Sequence, residues 1–391
     1  MNIALFSDTY PPEINGVATS TYNLAKTLRD HGNNVLVVTT NNTSKKLSLE
    51  DGVLRIPGIS VKALYGYKAS GPYNHEAMKI IAAFQPDVVH CQTDAGIGIF
   101  GQFVSSNLHI GKVYTYHTMI EDYAYYVTKG HFDRFARHAV RWFFRGKSSI
   151  FDEFIAPSDK SKDYLRSIGI DSTISVVPTG IELSRFDPSN EDKEETKALK
   201  AKFGIAPDDF VILSLGRIAK EKSIDVLIRG YKLFLDKKPT RPTKLVITGW
   251  GPAEKELQSL ASNLGIADHV IFTGKCAPSE TQKYYHLGDC FASASLSETQ
   301  GLTFMEGMAA NLVVIARYDD NLVGTIKDGE TGYFFFSEQD FADRIESVIS
   351  MSAAEKKRIV ANGLKAIDFY SMERFYQNVM QTYERVWKKN W

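Results

Sequence analysis

Short apolar runs alternate with amphipathic stretches almost from end to end of the chain. Residues 3–6, 35–40, 88–90, 113–116 and 154–156 read as strands in the first half, and residues 210–215, 245–248, 270–273, 290–294 and 312–316 in the second. These runs lack a clear in–out alternation and are separated by helical patterns, which predicts parallel sheets covered on both faces. Residues 19–31 place Tyr22, Leu24, Ala25 and Leu28 at helical spacing, with Gly32 positioned to close the helix. Near the end, residues 373–389 carry Phe375, Val379, Tyr383 and Val386 on one face and predict a terminal helix. Between the halves, residues 187–202 are polar and charge-rich, which places a hinge near residues 180–190. The pattern predicts two α/β domains facing each other across a cleft, with ligands bound at the carboxyl ends of the strands.

Composition narrows the function classes. The chain has 391 residues, which predicts two or three domains, and its 43% hydrophobic and 24% charged residues fit a globular protein. A formal net charge of zero supplies no general attraction for nucleic acid. Cys91, Cys276 and Cys290 are too few and too scattered for a disulfide framework or a zinc cluster, which suits a reducing compartment. No apolar run approaches the ~20 residues that span a bilayer. The start, Met1-Asn2-Ile3-Ala4-Leu5-Phe6, lacks the basic residues and cleavage site of a signal peptide. A soluble, intracellular protein is the expectation.

Candidate chemistry lies in the loops that follow the strands. Ser7 to Thr19 connects the first strand to the first helix, where Gly16 would let a ligand approach the backbone and the helix start would attract an anion. An ordinary strand-to-helix loop fits the same residues, and neither a dinucleotide fingerprint nor a P-loop is present. Gly216-Arg217-Ile218-Ala219-Lys220-Glu221-Lys222 follows the strand at 210–215, so Arg217 and Lys222 suit a diphosphate. Ser297 to Glu306 is the most informative stretch. Glu298 precedes a helix, the N–H groups of Gln300, Gly301 and Leu302 face its start, and Glu306 lies about two turns into an otherwise apolar sequence. His117 ends another strand, where it would bond a substrate hydroxyl, carry a proton or serve structure alone. Residues 129–147 combine Arg134, Arg137, Arg141 and Arg145 at helical spacing with Trp142 and Phe143. That pattern fits a membrane-surface helix, a domain-surface helix with inward aromatics or, least well, a nucleic-acid patch. There is no G-x-S-x-G and no Asp-x-Asp, so neither a serine hydrolase nor a metal–diphosphate clamp is indicated.

Several of these motifs, in this order, resemble the retaining GT-B glycosyltransferases of family GT4: Gly216-Arg217 with Lys222, and Glu298 with Glu306 in a Glu-x7-Glu element. Ser7-Asp8-Thr9-Tyr10, Gly16-Val17-Ala18-Thr19-Ser20, His117-Thr118-Met119 with Glu121-Asp122-Tyr123, Pro178-Thr179-Gly180-Ile181-Glu182 and Ser297-Glu298-Thr299-Gln300-Gly301-Leu302-Thr303 tighten the resemblance. Together they are similar to the bacterial diacylglycerol α-glucosyltransferases that make membrane glycolipids. Gly249-Trp250-Gly251-Pro252 and Asn311-Leu312-Val313 depart from the family's Gly-Asp-Gly-Pro and Gly-Leu-Pro, and Trp250 lies near the region the resemblance assigns to the donor.

The resemblance implies two Rossmann-like domains. Residues 1–182 would form the acceptor and membrane side, residues 183–370 would hold the nucleotide sugar, and residues 371–391 would form a C-terminal helix packing back on the first domain. It implies a UDP-sugar donor, UDP-glucose foremost, with no cofactor and no metal. Arg217 and Lys222 would bind the diphosphate, Glu306 the ribose, and Glu298 with the N–H groups of Gln300, Gly301 and Leu302 the sugar. Gly16 would approach the donor phosphates and His117 the sugar, and closure of the domains would complete the site. The acceptor would be diacylglycerol or a glycosyldiacylglycerol on an anionic membrane surface. The enzyme would then be cytoplasmic and peripheral on the inner face of the cell membrane, with Arg134, Arg137, Arg141, Trp142, Phe143 and Arg145 as the docking residues. Addition of a second hexose to monoglycosyldiacylglycerol, and a GT-B sugar-nucleotide epimerase without a lipid acceptor, are the competing readings.

Overall fold

The computed structural model describes the chain except residues 14, 61–67, 118–145, 147, 297, 299 and 390–391. The chain divides into two compact units, one comprising Met1–Gly180 with Met372–Trp391 and the other Ile181–Ser371.

In the first unit the described strands are β1 (Asn2–Ser7), β2 (Asn34–Asn41), β3 (Ser48–Glu50), β4 (Val53–Ser60), β5 (Lys68–Ser70), β6 (Val88–Cys91), β7 (Gly111–Thr115), β8 (Glu153–Ala156) and β9 (Thr173–Val176). The described helices before Gly180 are α1 (Gly16–Asp30), α2 (His75–Phe84), α3 (Gly96–Leu108) and α4 (Asp159–Ser167). The sheet runs β3-β4-β2-β1-β6-β7-β8-β9, with β5 paired to β4. Its body is parallel, with Ile3 opposite Val35 on one side and Val88 on the other. The β3 and β5 pairings to β4 are antiparallel, which corrects the expectation of a purely parallel sheet at this edge.

Helix α1 starts three residues earlier than the periodicity predicts, because the Asn15 side chain caps it by accepting from the Ala18 N–H at 2.9 Å. Tyr22, predicted to face inward, is 44% exposed. It lies about 100° around the helix from the centre of the stripe formed by Thr21, Leu24, Ala25 and Leu28.

The second unit carries β10 (Phe210–Leu215), β11 (Thr243–Thr248), β12 (Val270–Gly274), β13 (Cys290–Ser293), β14 (Val313–Arg317) and β15 (Tyr333–Phe335). Its helices are α5 (Lys193–Lys202), α6 (Ile224–Asp236), α7 (Glu254–Asn263), α8 (Thr281–Tyr285), α9 (Leu302–Ala309), α10 (Glu338–Ile349) and α11 (Ala353–Ile367). The order β12-β11-β10-β13-β14-β15 is parallel throughout. One face packs Ile212, Leu245, Cys290 and Ile315 against α6, α7 and α10, and the other packs Leu213, Val246, Phe291 and Val314 against α9. The strand order reverses beside β10, so the loops after β10 and β13 diverge around the natural ligand crevice of an open α/β sheet.

The last helix, α12 (Met372–Lys389), belongs to the first unit. Phe375, Val379, Tyr383 and Val386 bury one stripe of it against Ile3, Leu5, Val88 and Val113. Polar contacts fix its register. The Arg385 guanidinium donates to both oxygens of the fully buried Glu153, at 2.5 and 3.2 Å, and the His90 Nδ1 lies 2.7 Å from the Tyr383 hydroxyl.

Candidate functional site

In the second unit the loops after β10, β11 and β12 are tied side by side. Gly216 donates to Thr248 O at 3.0 Å, Ile218 to Trp250 O at 3.1 Å, and Gly249 to Gly274 O at 3.0 Å. A Cβ on Gly249 would lie 1.8 Å from Gly216 O, so glycine is required for these backbones to meet. Arg217 leaves this seam with its side chain 55% exposed, 3.9 Å from Glu221.

Lys222 ends a short 3-10 turn, Lys220–Lys222, just before α6. Its Nζ donates to Glu298 Oε1 at 2.7 Å and lies 3.4 Å from Ser295 Oγ. The structure thus brings Lys222 and Glu298 together across the gap between the loops after β10 and β13. The Glu298 side chain is only 12% exposed, so its charge is largely compensated by Lys222. The Asn321 side chain donates to Glu298 O and fixes the backbone at this point.

Gly301 caps α9 at φ +76°, and a Cβ there would meet Leu322 Cδ2 at 2.5 Å. Gln300 is buried beside it, and Leu302 opens the helix. Phe304 N–H donates to Gly301 O at 3.0 Å, and the N–H groups ahead of it point beyond the helix start, where an anion or a hydroxyl can be bound.

Glu306 lies in the second turn of α9, nearer the helix start than the sequence spacing suggests. The Tyr285 hydroxyl donates to its Oε2 at 2.8 Å. Burial pushes the Glu306 carboxyl up to about 7, opposed by the Tyr285 hydrogen bond and by the charge of Arg185. The partner that a buried carboxylate requires is therefore Tyr285, from α8.

In the first unit, Gly16 is the exposed first residue of α1, and a Cβ there would find no atom within 4 Å. His117 follows β7, and its Nε2 lies 2.6 Å from the Oε1 of the buried Gln92, which follows β6. Burial lowers His117 to about 4, so its imidazole is neutral at pH 7. Beside it, His90 is held between Tyr383 and Thr115, and burial lowers it to about 3. Glu13, in the loop before α1, is pushed up by burial to about 7.

Tyr285, Gln92 and Asn321 were not among the sequence candidates. Gln92 carried a readable signal, a polar residue directly at the end of an apolar strand. Tyr285 and Asn321 carried none, since their contacts join residues 21 and 23 positions apart through the fold. Arg134, Arg137, Arg141, Trp142, Phe143 and Arg145 lie outside the described residues.

Two family models match the chain, "Glycosyl transferases group 1" over residues 195–366 and "Glycosyltransferase Family 4" over residues 14–185. The chain is 35% identical over 383 residues to the alpha-monoglucosyldiacylglycerol synthase of Streptococcus pneumoniae, covering 98% of this chain and 85% of that protein. It belongs to glycosyltransferase family 4. The alpha-monoglucosyldiacylglycerol synthase of Acholeplasma laidlawii is 33% identical, over 88% of this chain and 87% of that protein. Among solved structures, Anabaena Alr3699/HepE in complex with UDP-glucose superposes with a TM-score of 0.74 at 18% identity, covering 98% of this chain and 99% of that one.

The fold of this family 4 glycosyltransferase is GT-B, and the chain is a hexosyltransferase. Arg217, Lys222, Glu298 and Glu306 fall within the group 1 match, and Gly16 and His117 within the family 4 match. Among the described residues no helix is long and apolar enough to cross a membrane.

Proposed function

We propose that the enzyme transfers glucose from UDP-glucose to diacylglycerol with retention at the anomeric carbon, producing a monoglucosyl lipid. The observation that carries this reading is the Lys222–Glu298 ion pair between the loops after β10 and β13, with the buried Glu306 on the helix that follows, in a chain related over nearly its whole length to two alpha-monoglucosyldiacylglycerol synthases.

Lys222 and Arg217 take the diphosphate. A Lys ammonium has three donors, so Lys222 can hold Glu298 and still donate to a phosphate oxygen. Glu298, with the N–H groups of Gln300, Gly301 and Leu302, orients the sugar hydroxyls, and Glu306 takes the ribose. Gly16 and His117 are assigned to the donor phosphates and the sugar by family resemblance. A neutral His117 suits a contact with a sugar hydroxyl, because it adds no charge to the reacting centre.

In the reaction, the bond between the anomeric carbon and the diphosphate oxygen breaks while the lipid hydroxyl bonds to the same face. The hydroxyl proton passes to the departing phosphate oxygen. Arg217 and Lys222 stabilise the charge that grows on UDP, the kind of contribution whose removal costs about 10²–10³ in rate.

On this reading the acceptor lies in a bilayer, the basic segment at 129–147 is the docking surface, and the enzyme works on the inner face of the cell membrane. Each basic residue near an anionic surface contributes about 1 kcal/mol. Neutralising Arg134, Arg137, Arg141 and Arg145 together should therefore greatly weaken binding to anionic vesicles, and unchanged binding would remove that assignment.

The test of function is UDP release from UDP-glucose and, separately, UDP-galactose, using anionic vesicles that contain diacylglycerol or monoglucosyldiacylglycerol, with lipid products resolved. Release from UDP-glucose that requires diacylglycerol and yields a monoglucosyl lipid is expected. Release only with the glycolipid would replace the proposal with addition of a second sugar. Equal release with and without lipid would replace it with an acceptor-free reaction.

A further inference from the structure

We infer that Tyr285 is the positioning residue that holds Glu306 as an anion facing the nucleotide ribose, so that nucleotide affinity follows the proton on Glu306. This rests on the donor reading above and adds a residue and a pH dependence to it.

The Tyr285 ring has no exposed surface and is wedged edge-on against Phe186, with centroids 5.4 Å apart, and beside Phe291 at 5.6 Å. The hydroxyl is thereby fixed 2.8 Å from Glu306 Oε2 and 3.0 Å from Thr303 O. It has one proton for two acceptors, and a charged carboxylate is the stronger acceptor. With Oε2 tethered, the carboxylate cannot rotate freely, and its remaining lone pairs are presented in a defined direction.

The surroundings of the pair add little charge. Arg185 acts on Glu306 from a distance, since its guanidinium is committed to Gln282 Oε1, Thr281 Oγ1 and Pro278 O. Cys276, in the loop after β12, also acts on the pair, but burial pushes its thiol up to about 12 and it stays neutral. Glu298 acts on Tyr285 at longer range. β13, β14 and α11 pack against α9 through Phe291, Val314, Ala316 and Ile367, which are apolar. Among the described residues, Tyr285 is thus the direct hydrogen-bond donor to Glu306, working against burial that favours the neutral acid.

The sign follows from linkage. Burial raises the Glu306 carboxyl to about 7, so the anion is present above that pH and lost below it. If ribose hydroxyls bind the anion, UDP affinity should fall about tenfold between pH 8 and pH 6. Tyr285→Phe keeps the ring and deletes the donor, which should raise the proton affinity of Glu306 by about tenfold. The variant should then bind UDP about fivefold more weakly than wild type at pH 7, with the two curves meeting near pH 9. Glu306→Gln should bind weakly and lose this pH dependence. UDP's own phosphate proton is common to all three proteins and cancels in their ratios.

Isothermal titration with UDP from pH 6 to 9, on the full chain, tests the inference. Divergence below pH 8 and convergence near pH 9 support it. A Tyr285→Phe penalty that is constant with pH, or a Glu306→Gln curve that keeps the wild-type slope, overturns it and leaves the donor reading standing. Absence of UDP binding by the wild type at pH 8 overturns both.

Discussion

Replacing Arg385 by methionine separates a structural claim about the first unit from any claim about catalysis. Glu153 on β8 has no exposed surface, and it accepts from Arg385 at 2.5 and 3.2 Å and from the Ser175 hydroxyl at 2.5 Å. Arg385→Met retains most of the apolar stem and leaves that carboxylate with the Ser175 hydroxyl alone. Breaking a fully buried pair costs about 3–5 kcal/mol. Here the Arg385 side chain is 45% exposed, so water can partly replace the guanidinium, and a loss of about 2–3 kcal/mol is expected. For a unit of this size each kcal/mol lowers Tm by about 2–4 °C, which predicts a fall of about 5–10 °C in scanning calorimetry. Glu153→Gln should cost about 1 kcal/mol, because the cation it strands can turn to solvent. The double variant Glu153→Gln/Arg385→Met should be more stable than Arg385→Met alone, giving a coupling of about 1–2 kcal/mol. A single-variant loss below about 0.5 kcal/mol, or strictly additive effects, would refute the idea that this pair clamps α12 to the sheet.

Two glycines should respond in opposite ways. Gly16→Ala meets no atom within 4 Å, so stability should change by less than about 1 kcal/mol while sugar transfer falls at least about tenfold; an active variant would remove Gly16 from the donor site. Gly301→Ala combines φ +76° with a contact of 2.5 Å to Leu322, so a destabilisation of about 1–3 kcal/mol should appear in thermal unfolding whatever the activity. Lys222→Ala should lower the transfer rate about 10²–10³-fold with the circular dichroism spectrum unchanged, and near-normal turnover would detach it from the diphosphate.

How far the sequence could be read depended on whether a contact was local. Strands such as β1, β10 and β14 are continuous apolar runs buried on both faces, and their pattern alone reveals them. β4 went unread because Pro57 and Gly58 interrupt its run, and β3, β5 and β15 because three-residue strands establish no period. The stripe on α12 was legible because helical spacing is local, whereas its anchor at Glu153 lies 232 residues away.

The same distinction holds inside the site. Glu306 could be singled out because an acid among Leu302, Phe304, Met305 and Met308 violates the local pattern and demands a partner. The partner's identity could not be read, since Tyr285 looks like one more core aromatic until the fold brings its hydroxyl to the carboxylate. Lys222 and Glu298 pose the converse case. From the sequence each had a separate role, one toward phosphate and one toward sugar hydroxyls, and neither reading required them to touch. Their 2.7 Å contact means that each compensates the other's charge in a mostly buried place. A charged pair arranged in advance needs little reorganisation when a third charge joins it, and that is the condition under which fixed charges lower a barrier most.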